Sequence, residues 1–332
     1  MIGDSSLDVE YLQGIHVVDS ILWLDAPRLA DLCFVSHALQ KFSGPHRKIL
    51  LSDKTAALLD DRGKTASMPA LVSPFYRRFS IGGLDLELSP SGYMLGAAQL
   101  CVTRNNRRLV YTGDFQLEPS RTAESARVIE TDTLVMKATF GGSGHIFPPR
   151  AEVEQAIVAW ARRRIEAGEC PAIFTSDAGQ AQELVAILGD AGLGVRAHRT
   201  IFALSKKYIS LGVKMTLPRR FAPGAGHGDV ILFPRHLRRS RAIAGLERVR
   251  TAIVGGQAVH PGAGLQREVD RTFALCGHAD HPALVRYANE SGAGKIYLLG
   301  PAAGELAQEL RDMGLKAWTL RPPVQAELFA PR

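Results

Sequence analysis

The chain has 332 residues, of which 46% are hydrophobic and 22% charged, with a formal net charge of +7. That length and apolar content supply a large core in one big domain or two interlocked ones, and they exclude a disordered chain. No apolar run approaches the roughly 20 residues of a membrane span. The opening Met1-Ile2-Gly3-Asp4-Ser5-Ser6 lacks the basic flank and apolar stretch of a secretion signal, so a cytoplasmic protein is expected.

In chain order, the first part reads as short strands. Ile15-His16-Val17-Val18, Ile21-Leu22-Trp23-Leu24 and Leu32-Cys33-Phe34-Val35 are apolar runs bounded by polar residues. Residues 84–88 alternate apolar and acidic side chains. Leu100-Cys101-Val102 and Leu109-Val110-Tyr111 flank Arg104-Asn105-Asn106-Arg107, which predicts a hairpin. Leu134-Val135-Met136 is a further strand. Residues 151–167 then change period: Val153, Ile157, Val158, Trp160, Ala161 and Ile165 have helical spacing. A strand at 172–174, a helix at 180–188, and strands at 195–197 and 230–233 follow, the βαβ signature of a parallel sheet. The tail adds a strand at 251–254, a helix from Pro282, a strand at 295–299 and a helix at 304–313. The expected organisation is α/β: a β-rich body over residues 1–147 and 241–332, interrupted by an α/β insert at 148–240.

Six segments, in order, carry a resemblance. Ser36-His37-Ala38-Leu39-Gln40-Lys41-Phe42-Ser43-Gly44 resembles the S-H-x-H-x-D-H-S-G signature of the metallo-β-lactamase superfamily. Ser91-Gly92-Tyr93-Met94-Leu95-Gly96-Ala97 resembles its G-H-x-L-G-S-A segment, and Tyr111-Thr112-Gly113-Asp114-Phe115 is identical to Y-T-G-D-F. Val135-Met136-Lys137-Ala138-Thr139-Phe140-Gly141 resembles a segment containing E-x-T-Y-G. Cys276-Gly277-His278-Ala279-Asp280 resembles S-x-H-A-D, and the strand ending at Gly300 stands where the family ends in V-H-G. With the α/β insert and Gly179-Gln180-Ala181-Gln182-Glu183-Leu184, the chain is similar to the β-CASP nucleases, which include messenger-RNA 3′-end-processing factors and ligase-associated DNA exonucleases. The resemblance implies an αββα sandwich carrying a β-CASP-like α/β domain.

It also implies a site for zinc, which this sequence has largely lost. A two-zinc hydrolase needs about seven His and carboxylate ligands to hold its ions. At the corresponding positions only His37 and Asp114 remain, with Leu39, Lys41, Phe42, Tyr93 and Gly300 replacing the others; Lys137 replaces an acidic residue. Zinc is therefore expected in the family and no cofactor is expected here. His278 matches the family histidine associated with leaving-group protonation. Asp280 follows it at a helix start, where a capping role competes with a chemical one. An isolated buried carboxylate is costly, so Lys41 or Lys137 is expected to lie against Asp114 and balance its charge.

The basic excess favours a polyanion partner. Arg235, Arg238, Arg239, Arg241, Arg248 and Arg250 face a single acid over residues 235–250 and are expected to form a phosphate-binding strip. Arg162, Arg163 and Arg164 are consecutive and cannot share one helix face. Cys33, Cys101, Cys170 and Cys276 are widely spaced and read as free thiols of a reducing compartment. Three readings follow. The first is a catalytically impaired nuclease-like protein that binds DNA or RNA, or an active paralogue or repair or processing factor, or its own copy. The second is an atypical metal-dependent nuclease using His37, Asp114 and His278. The third is a purely structural subunit.

Overall fold

The computed structural model describes residues 7–12, 14–41, 43–61, 68–222, 228–259 and 269–321. Two sheets form the body. The first runs in chain order: β1 (Val9–Tyr11), β2 (Ile15–Val17), β3 (Leu22–Leu24), β4 (Leu32–Phe34), β5 (Ile49–Ser52) and β6 (Ala70–Ser73). The second contains β7 (Phe79–Ile81), β8 (Leu84–Pro90), β9 (Ala98–Arg104), β10 (Arg107–Tyr111), β11 (Thr133–Lys137), β18 (Lys295–Leu299) and β19 (Ala317–Thr319), in the order β19-β18-β11-β10-β9-β8-β7.

Strand periodicity decides which layer each side chain joins. Leu109, Tyr111 and Val135 turn inward and meet Leu22, Leu24, Phe34 and Leu50 from the facing sheet. Val110, Leu134, Met136, Ile296 and Leu298 turn outward and are covered by Leu284 and Tyr287 of the helix His281–Glu290 and by Leu306 and Leu310 of the helix Ala303–Asp312. Cys33, Val35, Ile49 and Leu51 are covered by Leu58 and Leu59 of the helix Asp53–Asp61. Sheets buried on both faces need apolar side chains at successive positions, which is why these strands read as continuous apolar runs. The result is the expected four-layer αββα sandwich, of α/β class.

The insert is a six-stranded, wholly parallel sheet: β12 (Cys170–Thr175), β13 (Gly194–Ala197), β14 (Arg219–Arg220), β15 (Asp229–Pro234), β16 (Val249–Val254) and β17 (Arg271–Phe273), in the order β14-β13-β15-β12-β16-β17. The helices Arg150–Glu166 and Gln180–Asp190 cover one face. This corrects the boundary read at residue 240. β16 pairs with β12 from Cys170↔Val249 to Phe174↔Ile253, so the insert's sheet extends to Phe273. The arginine-rich stretch that looked like the return to the body is the crossover that carries the chain past β12. The helix Arg199–Ser210, which the sequence reading left unassigned, has two buried faces. Ile201 packs into the insert, while Leu204 and Tyr208 pack against Met94 and Leu95 of the body.

Glu183 provides the polar half of that joint. It lies in the first turn of its helix and is 4% exposed. Its carboxylate accepts from Ser120 Oγ at 2.6 Å, Thr122 Oγ1 at 2.8 Å and the Arg121 backbone N–H at 2.8 Å, all on the body. It also pairs with Arg150 at 2.6 Å. Burial pushes its pKa up, but Arg150 and these donors outweigh that and hold it below the usual glutamate value. Glu183→Ala should cost roughly 3 kcal/mol in urea unfolding, because Ser120, Thr122 and the Arg121 N–H lose their buried acceptor and Arg150 keeps only Glu154. A loss under about 1 kcal/mol, the range of an exposed pair, would show that the joint does not depend on it.

Candidate functional site

Asp114 sits at the turn after β10, and four side chains converge on it. His37 Nε2 lies 3.1 Å from Oδ2, Lys137 Nζ 3.1 Å from Oδ2, Thr139 Oγ1 3.3 Å from Oδ1 and His278 Nδ1 3.4 Å from Oδ1. The body brings them together. β10 and β11 are parallel neighbours, so Asp114 and Lys137 leave the same sheet edge. His37 follows β4 on the facing sheet. Gly113 takes φ +56°, and a Cβ there would come within 2.8 Å of the Ser36 side chain. Glycine thus lets the Asp114 turn and the His37 loop approach closely.

Asp25 is the partner that the sequence reading missed. It ends β3 with φ +46°, and its side chain is 3% exposed. It accepts from the Ser36 backbone N–H at 2.8 Å, Ser36 Oγ at 2.6 Å and Tyr111 Oη at 2.8 Å. Lys137 Nζ is 3.7 Å from its Oδ2. The ammonium therefore sits between two buried carboxylates. Burial pushes the Lys137 pKa down, but Asp25 and Asp114 outweigh that and hold it above the ordinary lysine value. Burial likewise opposes ionisation of Asp114, yet the hydrogen bonds from His278 and His37 and the Lys137 charge hold its carboxyl well below the usual aspartate range.

The donor set does not fit zinc. The Leu39 backbone N–H donates to His37 Nδ1 at 3.1 Å, so Nδ1 accepts and Nε2 carries the proton of the neutral ring. Nε2–H then donates to Asp114 and has no lone pair for a metal. A metal-bound histidine has the reverse arrangement, its second nitrogen donating outward. Gly300 has φ +124°, and a Cβ there would stand 2.7 Å from the Ala138 carbonyl oxygen, leaving no room for a ligand side chain. Tyr93 lies between the two imidazoles, with ring centroids 4.9 Å from His37 and 4.6 Å from His278. Burial, then the Asp114 charge, pushes its hydroxyl pKa up. Among the described residues, no group of three or more His, Cys, Asp or Glu side chains is arranged to hold a metal ion.

The other predicted residues separate. Lys41 is exposed and away from the cluster, so Lys137 alone meets the expectation of a cation at Asp114. Phe42 lies outside the described residues. Asp280 caps the helix His281–Glu290, accepting from Ala283 N–H at 3.1 Å, and also accepts from Phe147 N–H at 3.1 Å. The six arginines do not form one strip. Arg235, Arg238, Arg239 and Arg241 follow β15, at the carboxyl edge of the insert's sheet. That edge faces the Asp114 cluster, since Gly256, just past β16, abuts the Phe140 ring, whose centroid is 5.7 Å from His278. Arg248 and Arg250 stand at the amino edge, about 20 Å away along strands that rise roughly 3.3 Å per residue. There Arg248 donates to the Ala167 carbonyl at 2.8 Å and Arg250 pairs with Glu169 at 2.8 Å.

The chain resembles the metallo-β-lactamase fold superfamily, in its β-CASP branch, and the proteins it matches are consistent with that resemblance. It is 32% identical over 324 residues to a protein named "Probable DNA ligase" from Opitutus terrae, a match covering 97% of this chain and 32% of that one. It is 36% identical over 109 residues to the transcription termination factor FttA of Methanothermobacter thermautotrophicus, and 27% identical over 143 residues to the endoribonuclease ysh1 of Aspergillus fumigatus. These matches cover 17% and 16% of those relatives, so the chain spans a third or less of each curated relative. A crystal structure of a protein of unknown function from Enterococcus faecalis shares the fold, with a TM-score of 0.58 at 13% identity over 88% of this chain and 79% of that one. No family model matches the chain. No helix among the described residues is long and apolar enough to cross a membrane.

Lys137→Met should destabilise the protein by about 3 kcal/mol, because it leaves two buried carboxylates without their cation. Lys41→Ala should change stability by no more than about 0.5 kcal/mol. The Lys137 contribution also has a pH window. Asp114 has a depressed pKa, so its stabilisation is present above the unfolded value of about 3.9 and is lost as pH falls through the folded one. Lys137 has a raised pKa, so its stabilisation is present below about 10.4 and is lost as pH rises through the folded value. The stability gap between parent and Lys137→Met should hold from about pH 5 to 9 and close at both extremes. A gap that does not change with pH would show that packing, not charge, sets it.

Proposed function

We propose that this chain is a catalytically impaired member of a nucleic-acid-processing family, retained as a nucleic-acid-binding module beside an active enzyme. The observation that carries this reading is Lys137 Nζ held between Asp114 and Asp25. A permanent ammonium occupies the place of positive charge that an ion would supply, while the Leu39 N–H takes the histidine nitrogen that would have to face outward. What remains of the cleft is a folded, rigid surface with basic residues on its rim, suited to gripping phosphates without cleaving them.

The similarity over almost the whole chain to part of the Opitutus protein named as a DNA ligase favours DNA as the nucleic acid and a strand-joining enzyme as the partner. The matches to a transcription termination factor and an endoribonuclease keep RNA as the competing substrate class. The four cysteines form no disulfides, which supports a reducing compartment such as the cytoplasm. One observation favours the second reading, a mononuclear metal-dependent nuclease: His37 and His278 both reach Asp114.

Metal analysis separates the two. The protein purified from zinc-supplemented culture should carry well under one zinc per chain, and Gly300→His should not raise the content, since the new side chain meets the Ala138 carbonyl. About two tightly held ions per chain, as in a dinuclear hydrolase, together with metal-dependent cleavage of DNA or RNA, would overturn the proposal. For binding, Arg238→Gln, Arg239→Gln and Arg241→Gln together should weaken affinity for nucleic acid and reduce its salt dependence. Affinity independent of salt and of these changes would refute the cleft-edge assignment.

A further inference from the structure

The amino edge of the insert's sheet, away from the Asp114 cluster, carries a second basic surface. A groove of about 640 Å³ runs between the helix Arg150–Glu166 and the edge strand β17. Arg163 and Arg164 enter it from the last turn of the helix, Arg250 from β16 and Arg271 from β17. The helix is separated from β16 and β17 by most of the insert along the chain, so only the parallel packing of the insert brings the four guanidiniums together.

Their partners differ in a way that matters for binding. Arg164 and Arg250 are committed to Glu169, at 2.9 and 2.8 Å, and Arg250 is also 3.6 Å from Asp270. These pairs fix two guanidiniums as the groove's frame. Arg163 and Arg271 are exposed, and among the described residues neither pairs with a carboxylate. Arg271 lies over the Phe273 ring at 6.0 Å. Phe273 and Trp160 form the floor in edge contact at 6.0 Å, and both are buried. The floor therefore orients the guanidiniums and offers no ring face to a ligand.

We propose that this groove is a second nucleic-acid contact, one that holds the phosphate backbone of duplex DNA through Arg163 and Arg271. The inference rests on the reading of the chain as a nucleic-acid-binding module and adds a location and a strand type to it. Single-strand sites stack bases on exposed aromatic side chains; here both aromatics are sealed beneath arginine. A site with guanidiniums and no stacking platform recognises backbone, and a duplex presents two phosphate rows at fixed spacing to it. A duplex held at this edge and at the carboxyl-edge arginines would follow the length of the insert.

The test is fluorescence anisotropy with a blunt 24-base-pair duplex and the corresponding single strand, over a salt series, on the full chain. Arg163→Gln with Arg271→Gln should weaken duplex binding about tenfold near 0.1 M salt and lower the slope of log affinity against log salt by up to about 1.8, with a smaller effect on the single strand. Thermal melting of the same variant should be unchanged, since both side chains are exposed. If the parent binds the duplex and this variant binds it equally well, the groove proposal fails while the binding-module reading stands. If the parent binds neither nucleic acid, both fail. An equal loss for duplex and single strand would overturn the duplex assignment. Competition by a poly-glutamate peptide as effective as unlabelled duplex would assign the groove to an acidic protein partner instead.

Discussion

Two carboxylates that cannot leave the interior, Asp25 and Asp114, set the terms for the rest of the cleft. Asp25 is pinned by Ser36 and by Tyr111, a tyrosine of the sandwich core, and Asp114 by the turn that Gly113 permits. A pair of buried negative charges this close to one another is tolerable only with a cation between them. Lys137 supplies it covalently, from the adjacent parallel strand. With that cation on the chain, Leu39, Tyr93 and Gly300 stand at positions where the resemblance implies histidines.

The same arrangement accounts for what persists. His37 and His278 are hydrogen-bond donors to a carboxylate, so each still contributes to holding Asp114 ionised. Tyr93 between them replaces polar ligation with packing, its ring meeting both imidazoles and its hydroxyl kept protonated by burial. The cleft is thus preserved as architecture. Phe140 ties it to the insert by contact with Gly256, and Glu183 ties the insert to the body through donors on both sides of the joint. A buried carboxylate that takes three hydrogen bonds from the body fixes how the two sheet systems meet, since alternative dockings would leave it without those donors.

Basic charge follows the polarity of the parallel sheet rather than the order of the sequence. In a parallel sheet all strands begin at one edge and end at the other, so loops entering and leaving β15 and β16 deliver neighbouring arginines to opposite ends. Arg241 and Arg248 are seven positions apart in the chain and lie at different edges. Charge density along the sequence is therefore a poor guide to a binding face in such a sheet.

The sequence by itself determined the layers, the order of the segments and which of the implied ligand positions carry other residues. Strand and helix periods are local properties, visible in Leu109-Val110-Tyr111 and in residues 151–167, and the family segments retain their order. It could also propose Lys137 as the counter-charge to Asp114, because the two positions belong to known neighbouring segments. Only the tertiary structure decided between Lys137 and Lys41, brought in Asp25, oriented the His37 ring and ended the insert at Phe273. Each of these depends on which strands pair and which backbone N–H faces which nitrogen. A carboxylate after a short apolar strand, as in Leu24-Asp25-Ala26-Pro27, looks like any turn until the facing sheet closes over it. Likewise, Arg163 and Arg271 are separated by more than a hundred residues, and only the packing of a helix beside an edge strand makes them neighbours.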